Sequence, residues 1–146
     1  MKIHQLSIFL ENRPGQLTPH FRLLADAGIN VKTVSLADTE QFGILHMVVS
    51  DWARAREVLQ AAGCVVNVTE VAAVEVPDRP GGLRQVLEII EGAGLNIEYM
   101  YAFTFASGDC AVLIFRFDNL DEAIRLLTQN GIKVLDDVDL QQSCTA

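Results

Sequence analysis

Two stretches of this sequence recur at a single spacing. Asn12-Arg13-Pro14-Gly15-Gln16-Leu17 leads through an apolar segment to Ala27-Gly28-Ile29-Asn30-Val31. Asp78-Arg79-Pro80-Gly81-Gly82-Leu83 leads in the same way to Ala93-Gly94-Leu95-Asn96-Ile97. Pro14 and Pro80, Gly28 and Gly94, and Asn30 and Asn96 share one offset of 66 residues. An offset kept across a loop, a helix and a helix exit marks a duplicated unit. The chain is thereby restricted to folds that half its length can build.

Within the first copy, Ile3 to Glu11 sets Leu6, Ile8 and Leu10 against Gln5, Ser7 and Phe9, which predicts a strand with one buried face. Pro14 and Gly15 end it, and proline biases Arg13 toward extended backbone before opening a helix. Leu17, Phe21 and Leu24 follow at helical spacing, and Gly28 suits the left-handed cap after the helix. Pro19 falls inside that span. Either the regular helix begins with Thr18 as its cap and Pro19 in its first turn, or the helix bends there. Val31–Thr39 and Gly43–Ser50 predict a hairpin, and Asp51 caps a helix carrying Trp52, Ala55, Leu59 and Ala62. Cys64 to Val76 is β-branched and too long for one ordinary strand. It is expected to divide near Glu70-Val71, closing the first copy and opening the second.

The second copy repeats this order. Leu83, Leu87 and Ile90 mark a helix, and a strand runs from Leu95 toward Ala106. Ser107-Gly108-Asp109 forms the turn into Cys110–Phe117, and Asn119 with Glu122 reads as a capping box. Ile132 to Leu140 is expected as the last strand, with Gln141–Ala146 a flexible tail. Each copy reads β-α-β-β-α-β. The fold class is α+β: two ferredoxin-like units in tandem, residues 1–70 and 71–146, antiparallel sheets with helices on one face. The second copy's second strand is apolar on both faces, with Tyr99, Tyr101, Phe103 and Phe105 opposite Met100, Ala102 and Ala106. Both faces are therefore expected to be covered, by helices on one side and by another sheet or a second subunit on the other, which favours a homodimer.

Charge and composition exclude several function classes. A formal charge of −8 with no basic stripe disfavours nucleic acid. No apolar run of ~18 residues predicts a membrane span, and the first residues lack the apolar core of a secretory signal. Three widely spaced cysteines fit free thiols in the cytoplasm. His4, His20 and His46 lie in different elements, without metal-ligand spacing. Asp136, Asp137 and Asp139 lack the glycine of a calcium loop and read as a solvated acidic edge. No nucleophile elbow, phosphate loop or helical metal pair occurs, so neither catalysis nor a metal or cofactor is expected.

The Pro-Gly loops remain as candidate working parts. The first N–H groups of a helix have no intrahelical partner and carry the positive end of its dipole. Gly15 lets a ligand approach the backbone, and Gln16 and Leu17 can offer N–H groups to a carboxylate. Asn12 precedes the turn and Asn30 leaves the far end of the helix. Arg13 and Arg79 could also grip a carboxylate, although a solvated or ion-paired arginine is the commoner fate. Pro-Gly is equally a good strand-to-helix turn with no ligand at all.

The pattern of strand, [Asn/Asp]-Arg-Pro-Gly-x-Leu, apolar helix and Ala-Gly-[Ile/Leu]-Asn-[Val/Ile] resembles the ACT domain family of regulatory amino-acid-binding modules. It covers nearly the whole chain, twice, as in stand-alone tandem ACT proteins. The resemblance implies a ligand held between paired domains, against the loop before helix one and the start of strand two. It implicates Asn12, Arg13, Pro14, Gly15, Gln16, Leu17, Asn30 and Val31 in the first copy. In the second it implicates Asp78, Arg79, Gly81, Gly82, Leu83, Asn96 and Ile97. Asp78 replaces Asn12 in that copy and cannot donate a side-chain N–H when ionised. The implied function is non-catalytic regulation by a small amino acid or related metabolite. The alternative is a regulatory subunit that docks an enzyme or transporter without a ligand of its own.

Overall fold

Hydrophobic period alone cannot say which strands become neighbours. A computed structural model of the protein, describing residues 1–107 and 110–142, supplies that order. The elements are β1 (Ile3–Glu11), α1 (Thr18–Asp26), β2 (Val31–Thr39), β3 (Phe42–Val49), α2 (Trp52–Ala61) and β4 (Val66–Pro77). They continue as α3 (Gly82–Gly92), β5 (Ile97–Ser107), β6 (Cys110–Phe117), α4 (Leu120–Gln129), β7 (Val134–Leu135) and α5 (Asp137–Gln142). The chain divides into two compact units, residues 4–69 and residues 1–3 with 70–146.

In the first unit the strand order is β2-β3-β1-β4, and β3 runs antiparallel to both β1 and β2. Leu6, Ile8 and Leu10 of β1 and Leu45 and Met47 of β3 point to one face, where Leu24 of α1 and Leu59 of α2 cover them. Each such side chain contributes about 1.5–3 kcal/mol when fully buried. The second unit has the same order, β7-β4-β6-β5. Its core joins Val74, Phe115 and Phe117 to Val86 and Ile90 of α3 and Leu127 of α4. Each unit is thus the expected βαββαβ arrangement.

The caps are the ones the sequence predicts, with one exception. Asp51 accepts from the Arg54 amide at 3.2 Å, and Asn119 accepts from the Glu122 amide at the same distance. Glu122 does not complete the capping box; its carboxylate turns to Arg125. The exception is α1, which starts at Thr18 with Leu17, not Thr18, at its cap and Pro19 in the first turn. It has no side-chain cap, and no sharp bend is needed to place the proline.

Three other expectations change. The run expected to divide near Glu70-Val71 is one strand of 12 residues. It carries no turn residue until Pro77, so only its partners change, from β1 on one part to β6 and β7 on the other. Polar Gln5 and Ser7 are buried rather than solvated. They are satisfied by each other and by His46, with Ser7 Oγ 2.8 Å from its Nδ1. The last strand is only Val134–Leu135, and α5 takes the end of the segment expected to be β, from Asp137 on. Asp136 and Asp139 cap α5 reciprocally: the Asp139 amide donates to Asp136 at 2.8 Å and the Asp136 amide to Asp139 at 3.1 Å. Gly108 and Asp109 of the expected turn, and residues 143–146 of the expected tail, lie outside the described residues.

The new cap has a pH consequence. Hydrogen bonds, chiefly from the Asp139 amide, hold the Asp136 carboxyl below its ordinary value. A depressed folded pKa gives support that is complete above the unfolded value of about 3.9 and is lost as pH falls through the folded one. Carboxyl carbon shifts followed by NMR should therefore show Asp136 titrating below the ordinary aspartate value of about 3.9, with α5 amides losing protection in the same acidic window. Asp136 titrating at that ordinary value would remove this account of α5.

Candidate functional site

The fold sets the first Pro-Gly loop at the end of the sheet where β1 finishes and the β2-β3 hairpin turns. The Asn12 amide donates to the Gln41 carbonyl at 3.0 Å, tying loop to hairpin. Asn12 Nδ2 approaches Asp38 Oδ2 at 3.4 Å, a long and exposed contact. Gly15 has φ +88°, a left-handed conformation that a side chain would strain, and nothing lies within 4 Å of where its Cβ would be. Space beside this glycine is open.

Two depressions flank the loop. One of about 120 Å³ lies between the loop and the end of β2, with Leu10, Leu17, Leu36 and Gly43 as apolar floor and Asn12, Arg13 and Asp38 among its polar groups. The other, of about 480 Å³, runs along the outer side of α1 past Gly15, Gln16, Pro19, His20 and Cys64. Burial pushes the Cys64 thiol up, so it is a protonated apolar neighbour rather than a nucleophile. His20 Nδ1 lies 2.8 Å from the Gln16 carbonyl, the contact that fixes its ring.

Gln16 and Leu17 line the smaller depression. Among the described residues, the amides of Gln16, Leu17 and Thr18 find no backbone acceptor, and the first helical bonds are those of His20 and Phe21 to Leu17. Arg13 is committed elsewhere. Its Nε pairs with Glu11 at 2.6 Å, and the Gln16 amide oxygen, suitably oriented, accepts from it at 3.1 Å. The pair is more than half exposed and holds the loop only weakly. Asp38 lines the same depression.

The expected residues therefore separate into two groups. Asn12, Arg13, Gln16 and Leu17 share the small depression, with Pro14 and Gly15 shaping the turn above it. Asn30 and Val31 lie at the other end of α1, nine residues and about 13 Å of helix away. The Asn30 backbone is pinned there by Ser50, through Asn30 N to Ser50 Oγ at 3.1 Å and Ser50 N to Asn30 O at 2.9 Å. Asn96 and Asp118 repeat this clamp in the second unit, beside Ile97. Within one unit it is the end of β2, not its start, that meets the loop. Leu36, Asp38 and Gly43 are additions that the sequence reading lacks. Period-two alternation puts Asp38 on the same face as Val34 and Leu36, and a carboxylate on a predominantly apolar face was the available signal.

The second loop begins identically and ends differently. Arg79 N to Pro77 O at 2.9 Å matches Arg13 N to Glu11 O at 2.9 Å, and Gly81 at φ +84° matches Gly15. Beyond that point the Gly82 amide is taken by the Arg79 carbonyl at 3.0 Å, and α3 starts immediately. A Cβ on Gly82 would lie 2.1 Å from the Pro77 carbonyl oxygen. Asp78, Arg79 and Leu83 surround a loop whose backbone is closed on itself at this residue.

Among the described residues no cluster of three or more His, Cys, Asp or Glu can hold a metal, and no helix is long and apolar enough to cross a membrane. A search of curated proteins returns no match. Among solved structures, a protein from Bacteroides thetaiotaomicron is 38% identical with a TM-score of 0.90, covering 96% of each chain. The ligand-free regulatory subunit of aspartate kinase from Thermus thermophilus is 20% identical, covers 86% of this chain and 91% of its own, and has a TM-score of 0.59. The corresponding Thermus flavus subunit is 20% identical with a TM-score of 0.61, covering 88% and 93%. At that identity the two kinase subunits speak to the fold alone. The model of the ACT domain pair matches residues 1–144, so the chain belongs to the ACT domain pair family.

Proposed function

We propose that this protein is a non-catalytic, cytoplasmic regulator that binds a small amino acid or a closely related metabolite at its first Pro-Gly loop. One observation carries the reading: Gln16 and Leu17, whose amides find no backbone acceptor among the described residues, line one small depression together with Asp38 over an apolar floor. Donors at a helix start suit a carboxylate, and Asp38 suits an ammonium. Membership of the ACT domain pair family supports a regulatory role.

The depression of about 120 Å³ falls short of the roughly 300–1,000 Å³ of an ordinary ligand cleft. A second surface must complete it, and a homodimer supplies one. Asn30, too distant within its own unit, becomes available if it reaches the loop of a second copy. Leu36 and Val34 beside the depression are 52% and 41% exposed, an apolar rim that a partner would cover. Ligand would then set how firmly the copies associate.

A second reading, a subunit that docks on an enzyme or transporter, draws on a different face. Phe9 and Phe42 are 57% and 53% exposed on the side of the sheet away from α1 and α2. The two readings separate in a melting experiment against the amino acids, purines and nucleotides. A ligand at a hundred times its dissociation constant adds about 2.7 kcal/mol, or about 8 °C for a chain of this length. An amino acid that raises the transition supports the sensor. No response to any amino acid at millimolar concentration leaves the docking subunit.

A further inference from the structure

The two loops start alike and diverge at the residues aligned by the 66-residue offset, Gln16 with Gly82 and Pro19 with Gln85. We infer that Gln16 and Pro19 are positioning residues that hold the first loop open, and that their counterparts close the second, leaving one ligand loop per chain. This rests on the reading of the first loop as the ligand site.

Two independent features of the covalent chain carry it. The first is a missing donor. In the second unit the first helical bond runs from the Gln85 amide to the Gly81 carbonyl at 3.2 Å. The matching bond in the first unit would need an N–H on Pro19, which proline lacks. The regular helix accordingly starts at Thr18, two residues later than its counterpart at Gly82. The second is a steric block. The second loop closes by laying Gly82 against the Pro77 carbonyl, where a Cβ would come within 2.1 Å. Gln16 has a Cβ, and the carbonyl at the matching place is that of Glu11. The closed form is barred to the first loop, and the Gln16 amide stays unbonded where the Gly82 amide is bonded. Either feature alone would leave the other to be overcome, so both must change to convert the loop.

The test is the double variant Gln16→Gly/Pro19→Gln of the full chain, with Gln16→Ala as a control that retains the Cβ. Amide hydrogen exchange is read without ligand, relative to intrinsic rates. The inference expects the residue 16 amide of the double variant to gain protection of about fivefold over the parent, and the new residue 19 amide to exchange about fivefold more slowly than its intrinsic rate, the factor that one ordinary net hydrogen bond gives. Gln16→Ala should leave the loop exchanging as in the parent. Parent-like exchange in the double variant overturns the inference, and so does closure in Gln16→Ala. The second arm measures melting with each of the twenty amino acids at 10 mM. A shift in the parent that disappears in the double variant supports the inference. A shift that survives loop closure overturns it. No shift in the parent overturns the proposed function and with it the one-ligand-loop conclusion, while the exchange arm still decides whether these two residues hold the loop open.

Discussion

Gly82→Ala is expected to lower the melting temperature by about 9 °C, the consequence of roughly 3 kcal/mol lost in a chain of this length. The methyl would sit 2.1 Å from the Pro77 carbonyl oxygen and 3.0 Å from its carbon, both backbone atoms that no rotamer change can remove. Overpacking usually costs about 1–3 kcal/mol, and a collision with backbone belongs at the upper end. Relief would require β4 to shift at its last residue or the Arg79–Gly82 turn to open. Gly92, in the last turn of the same helix, is the control. Nothing lies within 4 Å of its Cβ position, so Gly92→Ala should stabilise by about 0.5 kcal/mol through helix propensity. Thermal melts of the two variants check both signs, and a Gly82→Ala protein as stable as its parent would mean that the second loop is not closed in this way.

Asp38→Ala is expected to weaken binding of the amino-acid ligand by about ten- to a hundredfold, since a hydrogen bond to a charged group is worth about 1.5–3 kcal/mol. Stability without ligand should barely change. Asp38 makes only a long, exposed contact with Asn12, so its removal leaves no buried donor unsatisfied. Asp38→Asn, which keeps an acceptor but removes the charge, should fall between the two. Titration calorimetry distinguishes these outcomes. Unchanged affinity in Asp38→Ala would place the ligand's ammonium elsewhere and remove β2 from the site.

Most of the fold was legible in the sequence because its signals are local and occur twice. Apolar spacing marked α1 to α4, and glycines at Gly28, Gly63, Gly94 and Gly131, all at positive φ, marked the ends of those helices. The segment after Lys133 was misread because its apolar residues fit a strand. The deciding interaction, reciprocal capping by Asp136 and Asp139, looks in sequence like an acidic edge. Gln5 and Ser7 read as a solvent face because their partner, His46, comes from a strand about forty residues away.

The candidate site was half legible. The loop announced itself by its repetition and its Pro-Gly pair. The wall opposite it, Leu36 and Asp38, depends on the register Leu36↔Leu45 and Asp38↔Gly43. Such pairing is a long-range property that single-strand alternation does not specify. Asn30 was read at the far end of the helix, able to meet a Pro-Gly loop only across an adjacent or partner unit, and α1 does hold it about 13 Å from its own loop. The alignment of Pro19 with Gln85 was present in the sequence from the start. Its meaning needed the hydrogen bond that one residue makes and the other cannot.

The claim that the first Pro-Gly loop is a ligand site is tested most directly by following backbone amide resonances while the protein is titrated with the amino acid that shifts its melting. The account predicts that Gln16, Leu17 and Thr18 move together and saturably, with Asp38 responding and Gly82 still. Saturable shifts centred on Gly82 and Leu83, with Gln16 to Thr18 unmoved, would contradict it.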